Sequence, residues 1–194
     1  RNTWLFSATM PEEIKKIVKK YMAVDAARVE VNKDALVNEN ITHQYINTSI
    51  KEKVNLLGTL LESRGTERGI IFCRTKAGTQ NLVAELKSKG FSVEALEGDM
   101  QQRDREKVMR AFKKTTLQTL VCTDVAARGI DVNNLAYVIH HQLPDQNDYY
   151  THRSGRTARA GKTGVSLALI IPGEMSRINE LRKVLGIQFK EVFL

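Results

Sequence analysis

The chain has 194 residues, of which 42% are apolar and 27% are charged, and these proportions predict a globular protein with a substantial core. The length suits one compact domain of roughly 150 residues together with additional segments. No apolar run approaches the ~20 residues that span a bilayer, so the sequence predicts neither a membrane span nor a signal peptide. The formal net charge of +8 favours polyanions, although an excess of this size is usually a solubility feature. Because the chain begins at Arg1 without a methionine, we expect a fragment.

The first part of the chain predicts the end of one folded unit, followed by a linker. Residues 3–9 form an apolar run typical of a buried strand, and the spacing of Thr9 and Glu12 is that of a capping box that opens a helix. One face of this helix carries apolar residues at helical spacing: Ile14, Ile17, Val18 and Tyr21. Residues 32–40 are polar and lack periodicity, which indicates a linker.

From residue 41 onward, short apolar runs alternate with amphipathic segments. The runs predict strands at 41–48, 69–73, 92–96, 119–122, 135–141 and 165–171. The segments between them predict helices with apolar faces around Leu57, Leu86 and Phe112, and further helices at 149–153 and 174–185. This alternation predicts an α/β fold with a mostly parallel central sheet and helices on both faces, and ligands of such sheets gather where the strands end.

Both cysteines lie in apolar runs that are typical of buried strands. Cys73 ends the run GIIFC and Cys122 ends the run LVC, and neither belongs to a CxxC pair. The four histidines also lack the spacing of zinc ligands. The sequence therefore predicts reduced thiols, no metal site of its own and a cytoplasmic location.

The stretch 152–163, HRSGRTARAGKT, ends in Gly-Lys-Thr, as a phosphate-binding loop does. Such a loop also needs a glycine five residues before Gly161, where this chain has Arg156. A helix should follow the loop, whereas the run GVSLALII predicts a strand. The sequence therefore contains no phosphate-binding loop here, and no other stretch supplies one.

Three arginines of this stretch follow one another at intervals of three residues: Arg153, Arg156 and Arg159. We expect Arg156 and Arg159 to project from neighbouring positions near the edge of the sheet where the strands end. Guanidinium groups bind phosphate oxygens bidentately and stay charged at physiological pH. The residue types leave two interpretations open: arginine fingers offered to a nucleotide that another domain holds, or a solvated basic loop that touches RNA or nothing.

Five segments occur in the order found in DEAD-box RNA helicases and resemble motifs III, IV, IVa, V and VI of that family: SAT at 7–9, IIFCRTK at 70–76, GDMQQRDR at 98–105, TDVAARGID at 123–131 and HRSGRTARAG at 152–161. The resemblance covers nearly the whole chain. It implies that residues 1–31 end the first RecA-like domain, that residues 32–40 are the interdomain linker and that residues 41–194 are the second RecA-like domain, a helicase C-terminal domain. In the family the phosphate loop and the Asp-Glu-Ala-Asp box belong to the first domain, upstream of Arg1.

The resemblance implies ATP-binding residues in the last two motifs. Arg156 and Arg159 would be the catalytic fingers that reach the γ-phosphate when the cleft between the domains closes, and His152 would couple that event to the other motifs. Gly129 would let the backbone approach ATP closely, and Asp131 would hydrogen-bond the ribose. ATP and its Mg2+ would be held mainly by the missing N-terminal domain, so the fragment alone is expected to be inactive.

The resemblance also implies contacts to the backbone of single-stranded RNA, independent of sequence. The candidate residues are Arg74, Thr75, Lys76, Gly98, Asp99, Gln102, Arg105, Thr123 and Asp124. Coupling between the domains would involve Ser7, Thr9, Arg128 and Arg153, the last of which would also order its own motif internally. Alternatives exist for several of them: Asp124 as a helix cap, Asp99 with Gln102 as a capping box, and the pair Gln102 and Arg105 as a brace behind the phosphate contacts.

Two positions depart from the family pattern. Ser154 stands where the last motif commonly carries an apolar residue, and Ala158 stands where it commonly carries glycine. The sequence thus predicts the C-terminal part of an ATP-dependent RNA helicase that unwinds short duplexes together with the N-terminal domain of the same chain. The alternatives are a non-catalytic RNA-binding or regulatory module and a DNA-directed helicase of the same superfamily.

Overall fold

The computed structural model describes residues 3–7, 10, 12–29, 38–127, 135–159 and 161–194. The chain divides into two compact units, Arg1–Asp34 and Ala35–Leu194. Within the described ranges, no helix has the length and apolar character needed to cross a membrane.

The described part of the first unit contains one helix, α1 (Glu12–Tyr21), in which no residue is buried. Its apolar face is exposed to solvent within the unit at Ile17 and Tyr21. The strand predicted at 3–9 is wrong for the described residues 3–7, which form no strand, and Trp4 among them is exposed. A strand of this kind needs hydrogen-bonded neighbours, and the described residues of this unit supply none.

The second unit alternates strands and helices along the chain. Its strands are β1 (Ile41–Asn47), β2 (Gly69–Phe72), β3 (Val93–Leu96), β4 (Thr119–Cys122), β5 (Tyr137–His140), β6 (Gly164–Ile170) and β7 (Phe189–Glu191). Its helices are α2 (Lys53–Arg64), α3 (Lys76–Ser88), α4 (Gln102–Lys113), α5 (Asp124–Ala127), α6 (Asn147–Ser154) and α7 (Met175–Leu185). A 3₁₀ turn, Pro172–Glu174, precedes α7, and Gly186 ends α7 in the left-handed conformation with φ 68°.

The seven strands form one sheet in the order β3-β4-β2-β5-β6-β1-β7. Each of the pairings in this sheet is parallel. Parallel strands need crossover connections, which the intervening helices provide. The predicted fold class is therefore confirmed in its architecture: the chain has an α/β fold with a parallel central sheet.

Helices cover both faces of the sheet because side chains alternate along each strand. On β6, Leu167 and Leu169 pack in a cluster with the apolar residues of α2 and α3, whereas Ala168 and Ile170 pack with those of α7. A third cluster joins α4 and α5 to the strands at the other end of the sheet. Every residue of β2 and β4 is buried, which explains why these strands read as continuous apolar runs in the sequence.

Both cysteines lie at the ends of the neighbouring central strands β2 and β4. The backbone N–H of Cys73 donates to the carbonyl of Cys122 at 2.9 Å. Both thiols are free and buried, as the sequence predicted. Burial raises the pKa of Cys73 to about 11 and raises the pKa of Cys122 as well, so both remain protonated thiols at neutral pH.

A group of polar side chains is buried beneath α6, between β1, β5 and β6. The hydroxyl of Tyr150 lies 2.7 Å from His43 Nδ1 and 3.3 Å from Ser166 Oγ. Ser166 Oγ lies 2.8 Å from Ser154 Oγ and 3.0 Å from His140 Nε2. The hydroxyl of Ser154, at a position where the related motif is commonly apolar, is thus hydrogen-bonded inside the core.

Burial lowers the pKa of three histidines at this end of the sheet. The pKa of His43 and of His141 falls to about 4, and that of His140 lies well below the usual 6.5. The unfolded chain therefore binds protons below pH 6.5, while the folded His43 and His141 stay neutral until pH is near 4 and His140 also takes up its proton only well below pH 6.5. Because the unfolded state binds more protons in this window, the stability of the fold decreases as pH falls through it.

We expect each of these histidines to add a slope of up to about 1.4 kcal/mol per pH unit to the loss of stability between pH 6.5 and pH 5. The substitution His140→Asn should make the dependence of stability on pH less steep by the contribution of one histidine. Urea unfolding at a series of pH values measures both slopes. An identical slope for the variant and the unmodified chain would contradict the prediction.

Candidate functional site

The edge of the sheet where the strands end is organised around one buried arginine. Arg153 of α6 is 2% exposed, and its Nε and Nη2 donate to the two carboxylate oxygens of Asp124 at 2.6 and 2.7 Å. Its Nη1 donates to the carbonyl of Gln142 at 2.8 Å, and its guanidinium lies 5.0 Å from the centre of the Phe72 ring. One side chain thus joins α6 to the ends of β2, β4 and β5.

These contacts assign Arg153 to the internal order of its motif, whereas its predicted interdomain role stays a prediction. Sequence reasoning missed Gln142 and Phe72, although both stand at strand ends, and the ends of neighbouring parallel strands share one edge. Asp124 was predicted to contact RNA. Both of its carboxylate oxygens accept hydrogen bonds from Arg153, and its contact with RNA stays a prediction.

Helix α6 and the residues that follow it carry two sets of side chains at helical spacing. Backbone hydrogen bonds of 3.0 and 3.1 Å continue the helical turns beyond the end of α6 as far as Thr157. The buried set consists of Tyr150, Arg153, Ser154 and Thr157. The exposed or half-buried set consists of His152, Arg156 and Arg159. The first set fixes α6 to the sheet, and the second presents one imidazole and two guanidinium groups on the other side.

The arginine loop, residues 155–159, lies against the beginnings of two strands. Thr157 Oγ1 donates to the carbonyl of Leu135, just before β5, and the N–H of Leu135 donates to the carbonyl of Arg156 at 3.4 Å. Gly164, which begins β6, permits this approach because a Cβ there would lie 2.8 Å from Thr157 Cβ. The predicted placement of the two finger arginines at the opposite edge is therefore wrong for the backbone of the loop. Helix α6 runs back along the sheet by ~12 Å over its 8 residues, and this is about the length of the 4-residue strand β5. The loop after α6 therefore lies near the beginning of β5.

The arginine loop contains a strained residue between its two arginines. Ala158 has φ 54°, in the left-handed region, and is 2% exposed. This conformation costs a non-glycine residue about 1–2 kcal/mol, whereas glycine adopts it freely. The structure thus gives a physical reason why glycine would suit this position. A hydrogen bond of 2.7 Å from Arg159 Nε to the carbonyl of Gly155 closes the loop on itself.

The charges of Arg156 and Arg159 act on each other. Burial, with a smaller contribution from the like charge of Arg159, lowers the pKa of Arg156. A guanidinium remains protonated at neutral pH in spite of such a shift. Two cationic groups that repel each other on a partly desolvated surface favour an anion between or beside them.

The predicted RNA-contacting residues gather at the other edge of the sheet, on three neighbouring strands. Arg74 and Thr75 follow β2, Gly98 and Asp99 follow β3, and Thr123 follows β4. In the sheet these strands are adjacent, in the order β3-β4-β2. Segments far apart in sequence are thus brought to one edge, as the sequence predicted for a parallel sheet.

Exposed ion pairs join the charged side chains at this edge. Lys76 Nζ lies 2.5 Å from Asp99 Oδ2 and 3.5 Å from Glu97 Oε2. The hydrogen bond between Lys76 and Asp99 raises the pKa of the lysine and lowers that of the aspartate. Arg74 Nη2 lies 3.0 Å from Asp145 Oδ1. Exposed pairs contribute little to stability, so a phosphate can replace the carboxylate as the partner of either cation.

The motif of α4 acts partly as a brace. Arg105 Nη2 donates to the carbonyl of Ala126 in α5 at 2.9 Å, which is the structural alternative predicted for this arginine. Gln102 is the first residue of α4 and its amide donates to Glu106 at 2.8 Å. The capping box predicted for Asp99 and Gln102 is therefore wrong, because the Asp99 carboxylate is engaged in the ion pair at the sheet edge.

Two threonines at strand ends cap the helices that follow. Thr75 Oγ1 accepts from the N–H of Gly78 at 3.0 Å at the beginning of α3. Thr123 Oγ1 accepts from the N–H of Ala126 at 3.5 Å at the beginning of α5. The predicted cap role of Asp124 is wrong, because its carboxylate turns to Arg153 and Thr123 supplies the capping oxygen.

Several predicted site residues lie outside the described residues: Thr9, Arg128, Gly129 and Asp131. Ser7 is described, in the first unit, and its coupling role stays a prediction. Leu135 is the first described residue after the segment 128–134 and contacts the arginine loop.

Comparison with known proteins identifies the family. Residues 52–161, more than half of the chain, match the family described as "Helicase conserved C-terminal domain". A DEAD box protein from the hyperthermophile Methanococcus jannaschii is 38% identical, with a TM-score of 0.74 over 97% of this chain and 50% of its own. The chain belongs to the DEAD-box helicase family. It corresponds to the C-terminal helicase domain of these proteins.

Two further DEAD-box relatives cover nearly all of this chain. The ATP-dependent RNA helicase DbpA of Bacillus subtilis is 37% identical over 192 residues, which are 99% of this chain and 40% of the relative. Dbp5 of S. cerevisiae, solved bound to RNA and ADP BeF3, is 28% identical with a TM-score of 0.86, over 96% of this chain and 50% of its own. The chain thus spans about 40% of the length of the curated relatives that it matches.

The substitution Asp124→Asn should lower the free energy of unfolding by about 3 kcal/mol, because it leaves the Arg153 guanidinium buried without its counter-charge. The matched control is Asp145→Asn, which breaks the exposed pair with Arg74 and should change the free energy by less than about 0.5 kcal/mol. Chemical denaturation of the 194-residue chain measures both changes. Equal losses in the two variants would contradict the prediction.

Proposed function

We propose that this chain is the C-terminal RecA-like half of an ATP-dependent RNA helicase and that its arginine loop completes an ATP site held by an N-terminal domain. The observation that carries the proposal is the division of α6 and its continuation into a buried and a solvent-facing set. Arg153 is fixed in the domain, while His152 and Arg159 are exposed and Arg156 is half-buried. Guanidinium groups presented in this way suit the oxygens of a γ-phosphate, on which charge builds up during transfer.

ATP and its Mg2+ would be bound mainly by the N-terminal domain, and this chain would supply groups that act on the nucleotide from the opposite side of a cleft. Arg156 and Arg159 would stabilise the charge on the transferred phosphoryl group. Gly129 and Asp131 would approach the nucleoside, with Asp131 on the ribose. The chain alone would then hydrolyse no ATP above background.

RNA would bind along the edge of the sheet at the ends of β3, β4 and β2. The cations Arg74 and Lys76 would exchange their carboxylate partners for RNA phosphates, and backbone N–H groups near Gly98 and Thr123 would donate hydrogen bonds to further phosphate oxygens. Such contacts hold the sugar–phosphate backbone without reading sequence. Dbp5 was solved bound to RNA, and its structure matches 96% of this chain. This similarity supports the proposed RNA contacts.

Unwinding would follow from two conformations of the complete protein. ATP and a bent single strand would fit only the state in which the two domains are closed, and these ligands would therefore shift the population toward closure. A duplex of regular A-form geometry would not fit the closed state, so closure would displace one strand locally. Hydrolysis and release of phosphate would remove the ligand that favours closure.

In the full-length protein, Arg159→Ala should lower kcat for RNA-stimulated ATP hydrolysis by about 10³-fold, the range known for arginine fingers, and should leave RNA affinity nearly unchanged. Steady-state ATPase assays and RNA-binding titrations measure the two effects separately.

A suitable control for this measurement is Arg110→Ala. Arg110 is exposed in the last turn of α4, before β4 begins and away from the RNA-contacting strand ends. In the sheet β2 separates β4 from β5 and the arginine loop, so the loss of Arg110 should alter neither quantity. Equal losses of turnover and RNA affinity in Arg159→Ala would assign this arginine to RNA instead.

RNA binding by this chain should weaken steeply with salt, because contacts to phosphates release counterions. Three phosphates would give a slope of about −2 in a plot of log affinity against log salt concentration, and Lys76→Ala should reduce the slope by about 0.7. Fluorescence anisotropy of a labelled single-stranded RNA, with a DNA strand of the same sequence in parallel, provides the measurement. A flat salt response would remove the proposed phosphate contacts, and equal unwinding of DNA duplexes by the full-length protein would favour the DNA-directed alternative.

A further inference from the structure

Asn38 stands three residues before β1, and its side chain reaches the arginine loop. Its Nδ2 donates to the carbonyl oxygen of Ala158 at 2.6 Å. The Oδ1 of the same amide accepts from the N–H of Asn40 at 3.0 Å, and the carbonyl of Asn38 accepts from the N–H of Ile41 at 3.0 Å. Asn38 is thus fixed to the beginning of β1 and to the arginine loop at the same time.

Ala158, the acceptor of this bond, is the residue on which the direction of the loop depends. It has φ 54° and its side chain is buried. A non-glycine residue stays in the left-handed region only where its surroundings hold it there. Rotation of Ala158 out of that region would change the direction of Arg159 relative to Arg156, because the two arginines lie on either side of it.

Other contacts fix the loop on both sides of Ala158, and among the described residues Asn38 donates to its carbonyl. Thr157 is held by its side-chain bond to the carbonyl of Leu135, and Arg159 Nε donates to the carbonyl of Gly155 at 2.7 Å. Neither bond restrains the peptide that follows Ala158. The bond from Asn38 acts directly on the carbonyl of that peptide.

We propose that Asn38 is a positioning residue for the two finger arginines: its amide holds Ala158 in the left-handed conformation and so sets Arg159 relative to Arg156. This inference rests on the proposed function of the arginine loop. It adds to that function a residue from the segment predicted as the interdomain linker, 120 positions away from its partner in the sequence.

The test uses Asn38→Asp in the full-length protein with both RecA-like domains. Aspartate keeps the size of the side chain and its acceptor for the N–H of Asn40, but it cannot donate to Ala158. We expect kcat for ATP hydrolysis to fall about tenfold, equivalent to about 1.4 kcal/mol, with RNA affinity unchanged. The matched control is Asn40→Asp, which adds the same charge at an exposed position of the same segment and should leave kcat unchanged. Equal losses in the two variants would overturn the proposal.

Glycine at position 158 provides a rescue that a general structural defect would not show. Glycine adopts the left-handed region without steric cost, so it needs less support from Asn38. In the Ala158→Gly background, Asn38→Asp should therefore change kcat by less than about threefold. A tenfold loss in both backgrounds would overturn the proposed action through Ala158. If Asn38→Asp does not fold, Asn38→Ala carries the same test without the added charge.

Arg159→Ala, assayed beside these variants, separates failure of this inference from failure of the proposed function. If Arg159→Ala lowers kcat and neither Asn38 variant does, the positioning role of Asn38 is wrong and the function of the arginine loop stands. If Arg159→Ala leaves kcat unchanged, the function of the loop itself is wrong.

Discussion

The bidentate pair between Arg153 and Asp124 is the contact on which the functional half of this domain depends. The side chain of Arg153 is 1% exposed, and a guanidinium at such a depth is stable only with a counter-charge and hydrogen-bond acceptors around it. Asp124 and the carbonyl of Gln142 provide both, and the ring of Phe72 covers the guanidinium face. These partners stand at the ends of β4, β5 and β2, so the pair fixes helix α6 against the strands that carry the predicted RNA contacts.

Helix α6 therefore connects two edges of the sheet with different chemistry. At one edge, exposed ion pairs of low stability line the ends of β2 and β3. At the other edge, the arginine loop rests on the beginnings of β5 and β6. In the proposed function the first edge meets RNA and the loop meets ATP. Helix α6, buried through Tyr150, Arg153 and Ser154, would then link the two ligand sites.

The sequence was sufficient for the first six strands, because the central strands β2, β4 and β5 are buried throughout and read as separate apolar runs. It missed β7, in which two of the three residues are exposed and no apolar run marks the strand. It was also sufficient to bring the predicted RNA contacts to one edge, since parallel strands end on the same side. The predicted placement of the backbone that carries Arg156 and Arg159 was wrong because residue spacing does not say how far a helix returns along the strand before it. The hydrogen-bond partners of Asp124 and Ala158 were not predicted, for another reason. Arg153 and Asn38 meet them across 29 and 120 positions, and no local pattern marks contacts of that range.

The burial of Cys73 and Cys122 makes this domain a convenient object for labelling chemistry. Both thiols stay protonated and shielded from water, so maleimides and similar reagents would not react with them in the native state. A single cysteine introduced on the solvent side of the arginine loop would then be the one reactive thiol among the described residues. Dyes or spin labels could be attached to that introduced cysteine without first replacing either native cysteine.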